Sequence, residues 1–104
     1  MPTRPVAETF LVRAKREPSF RAALLGEALE LIAENDVETA KSILRDYVLA
    51  TLGYEALAKK VGKKPESIKR MLGKNGNPTI KNMASLLSSL SQYEGIELRV
   101  KATR

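Results

Sequence analysis

The side chains with the most evident chemistry are cationic, and they are clustered. Between Gly53 and Lys81, a stretch of 29 residues, stand eight basic residues, Lys59, Lys60, Lys63, Lys64, Lys69, Arg70, Lys74 and Lys81. Only two acidic residues, Glu55 and Glu66, share the stretch, so it carries the whole formal net charge of +6. The rest of the chain balances ten charges of each sign. Ammonium groups act as point charges toward phosphates, and a guanidinium adds a planar fork that can hold two acceptors at once. A block this lopsided is the electrostatic footprint of a polyanionic partner.

Other chemistries are poorly served. The 104 residues include no cysteine and no histidine, which excludes thiol nucleophiles, imidazole bases, zinc fingers and the usual transition-metal ligand sets. The carboxylates are spread along helical faces without a run suited to a metal or to acid/base work. No catalytic residue, metal or cofactor is therefore expected, and the chain is not expected to be an enzyme. A glycine-containing basic loop, Gly73 to Thr79, lacks the Gly-Lys-Ser/Thr order of a phosphate-binding P-loop.

Length and composition set the frame. The chain is the size of one compact domain, with 43% hydrophobic and 29% charged residues, which is ordinary for a globular protein. No apolar stretch approaches the roughly 20 residues that cross a bilayer. Met1-Pro2-Thr3-Arg4-Pro5 is not followed by the apolar region of a signal peptide. A cytoplasmic protein without a membrane partner is the expectation, and the lack of cysteine fits a reducing compartment.

The elements that must position the basic block are mostly helices. Val6, Phe10, Leu11 and Ala14 mark a short amphipathic helix to about Lys15. A second starts at Pro18 or Ser19, with Phe20, Ala23, Leu24, Ala28, Leu31 and Ile32 inward and Glu27, Glu30 and Glu34 outward. Asn35-Asp36 interrupts it, and Asp36 can cap a third helix carrying Ala40, Ile43, Leu44, Tyr47 and Val48. A fourth runs from about Tyr54 to Val61 and stops at Gly62, with Leu57, Ala58 and Val61 inward. Pro65 suits the first turn of a fifth, whose buried side is Ile68, Met71 and Leu72. After the turn Gly73 to Pro78, Thr79 can cap a sixth running to about Gln92, with Ile80, Met83, Ala84, Leu86, Leu87 and Leu90 on its apolar side. Ile96-Glu97-Leu98-Arg99-Val100-Lys101 alternates and reads as a half-buried strand. Such a strand needs a partner, either a second chain about a two-fold axis or a strand of another protein, and Ile96, Leu98 and Val100 would form its inner face.

Tyr54 to Leu72 thus contains a helix, a glycine turn and a second helix, with the small Ala58 where the two approach. This is the helix-turn-helix pattern, in which the second helix enters the major groove of DNA. Leu57-Ala58-Lys59-Lys60-Val61-Gly62, the helix from Pro65 to Leu72 and Gly76-Asn77-Pro78-Thr79 resemble the Cro/repressor-type DNA-binding domain. Phe20-Arg21-Ala22-Ala23-Leu24-Leu25 and Leu44-Arg45-Asp46-Tyr47 resemble, more narrowly, the HigA-like addiction-module antidote proteins of bacteria. The resemblance implies a homodimeric autorepressor that binds operator DNA, and an antitoxin of a RelE/HigB-like toxin encoded beside it.

The implied fold is mainly all-α, five to six helices containing a Cro/repressor-type helix-turn-helix, with one short C-terminal β-strand. Residues 1–50 would form an N-terminal helical region offering a dimer or partner surface, 51–93 the DNA-binding region, and 94–104 the strand and tail, all in one compact domain. Carried over to this chain, the recognition positions put Lys64, Pro65, Glu66, Ser67, Lys69 and Arg70 on or near the groove. Arg70 can reach guanine O6 and N7, and Glu66 can accept from cytosine N4, so these two are the expected base readers. Lys63, Lys64, Ser67 and Lys69 are expected on phosphates, with Lys59, Lys60, Lys74 and Lys81 in the same backbone role. Asn75 and Asn77 can add hydrogen bonds from the loop, but turn geometry explains both equally well. Two departures stand out: Lys64 occupies a position that usually holds a capping serine or threonine, and Pro65 one that often bears a base-reading side chain. Readout then leans on Glu66, Arg70 and DNA shape. Two alternatives stay open on the sequence: a module whose main task is masking a toxin, and a protein that binds DNA without regard to sequence.

Overall fold

Apolar residues at spacings of three and four, broken by residues that favour left-handed or extended backbone, divide the chain into helices joined by short turns. In the computed structural model, which describes residues 6–104, these are α1 (Val6–Arg16), α2 (Pro18–Ala33), α3 (Val37–Ala50), α4 (Gly53–Val61), α5 (Pro65–Leu72) and α6 (Ile80–Glu94). The side chains of Val6, Ala7 and Glu8 and the segment Met1 to Pro5 lie outside the described residues.

The stops follow from local chemistry. Asp36 accepts from the Thr39 amide and Thr79 from the Asn82 amide, each satisfying a donor that the first turn of a helix leaves free. Gly62 and Gly95 both adopt left-handed backbone. There the amide two residues past the helix bonds back into it, Lys63 N–H to Ala58 C=O and Ile96 N–H to Ser91 C=O, each at 3.0 Å. Asn35 does the same work after α2 with φ at 67°.

At the centre is α3, which packs on α1, α2, α4 and α5, while α6 closes the core against α2 and α4. Leu24, Leu25, Leu44, Tyr47, Val48, Leu57, Ile68, Leu72, Leu86 and Leu90 fill the interior. Three inward expectations fail, and Leu25, Lys41 and Ala50 are buried without having been anticipated. Ala23 and Ala84 are exposed, Ile80 is 89% exposed, and Leu25 is fully buried. α2 is apolar nearly all round and meets α1, α3 and α6, so periodicity alone cannot choose its face. Ile80 is the first residue of α6, whose buried residues begin one turn later at Met83.

The C-terminal strand is also corrected. Ile96 and Leu98 rest against the core, but Val100 is exposed and no strand is formed among the described residues. A ladder requires a second strand, and the helical remainder of one chain offers none.

A part-buried polar trio joins α2, α3 and α6. Tyr47 Oη donates to Glu94 Oε1 at 2.5 Å, and Arg21 Nε donates to both Glu94 carboxylate oxygens at 2.9 and 3.1 Å. Arg21 also donates to the Ala14 and Lys15 carbonyls, tying the end of α1 to α2 and α6. Burial first, then the bond to Glu94 and its charge, push the Tyr47 phenol far above its ordinary value near 10. A group whose folded pKa is raised stabilises fully below its unfolded pKa, and that contribution falls away as pH climbs beyond it. Urea unfolding is therefore expected to show stability falling above about pH 10, with a shallower fall in Tyr47→Phe. Equal slopes in the two proteins would refute the coupling.

Candidate nucleic-acid interface

Packing determines which side of α5 is available. Among the described residues the helix packs only against α4 and α3. Ile68 and Leu72 are fully buried, whereas Glu66, Lys69 and Arg70 are exposed. At 100° per residue these three fall within an arc of about 100° away from the buried pair. Ser67 and Met71 sit on the flank, half-buried. The turn leading in exposes Lys63 and Lys64. Lys64 is the residue before the helix, in extended backbone, and makes no capping bond. Pro65 begins the helix, its missing amide costing nothing at that position.

The charges on this side are not neutralised. Ion pairs among the described residues join Arg13 to Glu17, Arg21 to Glu94, Lys41 to Glu38 and Arg99 to Glu97. None involves the basic block, and even Glu66 and Arg70, one helical turn apart, do not pair. Lys69 places its ammonium 5.6 Å from the centre of the Tyr54 ring, at the start of α4, which holds it beside the helix as a cation–π contact. That position suits a phosphate better than a base edge.

The remaining basic residues are only partly gathered in. Lys74 follows in the loop after α5 and Lys59 is exposed on α4. Lys60 instead leans on the ring of Tyr93, 6.0 Å away near the C-terminal end of α6. Lys81 is at the other end of that helix, about 18 Å along its axis from Tyr93. The structure thus sets Glu66, Lys69 and Arg70 on the exposed side of α5, Lys63 and Lys64 in the exposed turn before it and Lys74 in the loop after it, and holds Lys60 and Lys81 near opposite ends of α6. Asn75 and Asn77 are exposed in the loop.

How α5 is held was not foreseen from the sequence. Lys41 of α3 is fully buried and its Nζ donates to the carbonyls of Gly73 at 2.9 Å and Gly76 at 2.7 Å. Glu38 Oε2 lies 2.8 Å from the same ammonium. Arg45, one turn further along α3, donates to the Leu72 carbonyl. Two cations from α3 therefore satisfy carbonyls at the C-terminal end of α5, where the helix dipole favours positive charge. The signal was present: Lys41 is three residues before Leu44 and seven before Val48, on the buried stripe of α3. Gly76 completes the arrangement. A Cβ there would come within 2.0 Å of the Arg70 carbonyl oxygen and 2.6 Å of that of Met71, so only glycine lets the loop fold back this closely.

Comparison with protein-family models, with curated proteins and with solved structures returned no match.

Proposed function

We propose that this protein is a dimeric, sequence-specific regulator that binds double-stranded operator DNA, with α4, the Gly62 turn and α5 acting as a helix-turn-helix. The observation that carries the reading is the unneutralised set Lys63, Lys64, Glu66, Lys69 and Arg70 on the outer side of a helix whose inner side and C-terminal end are fixed. With its side chains an α-helix such as α5 is about 10–12 Å across, a fit to a major groove about 12 Å wide. Glu66 and Arg70 face the base edges, while Lys63, Lys64, Lys69 and Lys74 bind phosphates and fix the register. Two copies must offer their α5 helices about 34 Å apart to meet successive grooves. The resemblance to addiction-module antidote proteins extends the proposal to repression of the protein's own gene and to a RelE/HigB-like toxin as a protein partner.

Fluorescence anisotropy on the DNA upstream of the gene, with scrambled DNA as competitor, tests the assignment. Arg70→Ala is expected to weaken specific binding by about 10- to 100-fold and to narrow the preference over scrambled DNA. Lys64→Ala is expected to weaken both equally and to lower the salt slope by about 1. Unchanged affinity and preference in Arg70→Ala would remove α5 from the interface.

A further inference from the structure

Outside the stretch from Gly53 to Lys81 the charges balance in number but not in place. Residues 1–26 hold five basic and two acidic side chains, and residues 27–50 hold two basic and six acidic. α2 keeps the two groups apart: Arg13, Lys15 and Arg16 stand in the last turn of the helix before it, whereas Glu27, Glu30 and Glu34 are exposed along its second half and at its end. The fold therefore has a cationic end that a neutral sum conceals.

Three helices finish beside one another there. Arg21 Nε binds the carboxylate of Glu94, the last residue of α6, and the same guanidinium donates to the carbonyls of Ala14 and Lys15 in the last turn of α1, at 3.0 and 3.3 Å. Tyr93, the residue before Glu94, is exposed, and the Lys60 ammonium from the last turn of α4 lies 6.0 Å from its ring. Past Lys60 the chain turns at Gly62 into Lys63 and Lys64 and enters α5. A line of exposed cations thus runs from the turn before α5, over Lys60 and Tyr93, to Lys15 and Arg16.

Helix C-termini favour cations, but the acceptors at these ends are already taken. Arg21 holds the carbonyls of Ala14 and Lys15, and the Lys63 amide holds that of Ala58. The carboxylates at the ends of α1 and α6 are engaged as well, Glu17 by Arg13 and Glu94 by Arg21 and Tyr47. Among the described residues Lys15, Arg16 and Lys60 join no ion pair.

We propose that this line of cations binds the phosphate backbone of duplex DNA beyond the half-site that α5 reads, so that Lys15, Arg16 and Lys60 extend the footprint outward from Lys63 and Lys64. It rests on the DNA-binding reading for the identity of the polyanion, and continuity with the turn that enters α5 is what selects DNA. Cations held on a folded edge displace counterions from the phosphates they meet and carry no sequence information.

Fluorescence anisotropy on two duplexes tests the assignment, one ending at the outer edges of the two half-sites and the other longer by a helical turn, about 10 base pairs, at each end. The wild-type protein is expected to bind the longer duplex about 10-fold more tightly at low salt, with a salt slope steeper by about 0.9 for each added phosphate contact. Lys15→Gln/Arg16→Gln should erase most of that gain and leave the short duplex unaffected. Lys101→Gln/Arg104→Gln removes the same formal charge from the C-terminal tail, where Lys101 shares a cleft with Glu30 and Glu34, and should keep the gain. Equal affinity of the wild type for both lengths, or equal losses in the two double variants, overturns the proposal. Specific binding that ignores duplex length sinks it alone and leaves the reading of α5 standing, whereas a protein that binds neither duplex sinks both.

Discussion

Lys41→Met is expected to lower the melting temperature by about 15 °C and to weaken operator binding, although Lys41 is nowhere near the exposed side of α5. Methionine keeps the length of the side chain and removes the ammonium. The carbonyls of Gly73 and Gly76 then lose the donor that Lys41 supplies from the interior. Hydrogen bonds to a charged group are worth about 1.5–3 kcal/mol each, and a buried acceptor left unpaired costs its desolvation. A net loss of about 3 kcal/mol is the expectation, and for a domain of about 100 residues that converts to roughly 15 °C. Glu38 is the control. Its carboxylate is two-thirds exposed, so Glu38→Gln should change stability by less than about 0.5 kcal/mol. Thermal melts by circular dichroism read both variants. A Lys41→Met melt within a degree or two of wild type would show that the anchor is not holding α5.

Gly76→Ala is expected to cost about as much, by the opposite route. One methyl group would have to occupy space within 2.0 Å of the Arg70 carbonyl oxygen and 2.9 Å of the Met71 carbonyl carbon. Both are backbone atoms, so the clash cannot be relieved by turning a side chain. The loop must move off the end of α5, and the carbonyl of Gly76 would move away from Lys41. Overpacking of this kind costs about 1–3 kcal/mol and occasionally more, and the shift would carry Arg70 with it. Gly26→Ala supplies the contrast. Nothing lies within 4 Å of a Cβ at Gly26, and it is inside α2, so alanine should stabilise by about 0.5–1 kcal/mol. Urea denaturation of the two alanine variants should move the midpoint in opposite directions. A neutral Gly76→Ala would mean that the loop packs elsewhere.

What the sequence made legible and what it hid divide along the range of the interactions. Gly62, Thr79, Asp36 and Pro65 could be assigned from their neighbours, because a cap or a first-turn proline acts within three or four residues. The exposed residues of α5 were likewise legible, since Ile68 and Leu72 fix its inner face through helical spacing alone. The anchors were not. Lys41 meets carbonyls 32 and 35 residues away, and a lysine on an apolar stripe carries no mark of the acceptor waiting for it. Leu25 and Ala23 exchanged roles because α2 is enclosed on several sides, and a single apolar face is the premise of any periodicity reading. The tail shows the same limit: alternation at Ile96, Leu98 and Val100 is local, whereas a strand is a relation between two segments.

The most direct test of operator binding is selection of the wild-type protein on a pool of randomised DNA duplexes. Convergence on one palindromic sequence is predicted, with half-site centres about 10–10.5 base pairs apart and affinity at least about 10³-fold above that for the starting pool. Retention of DNA without convergence, or no retention at moderate salt, would contradict a sequence-specific regulator.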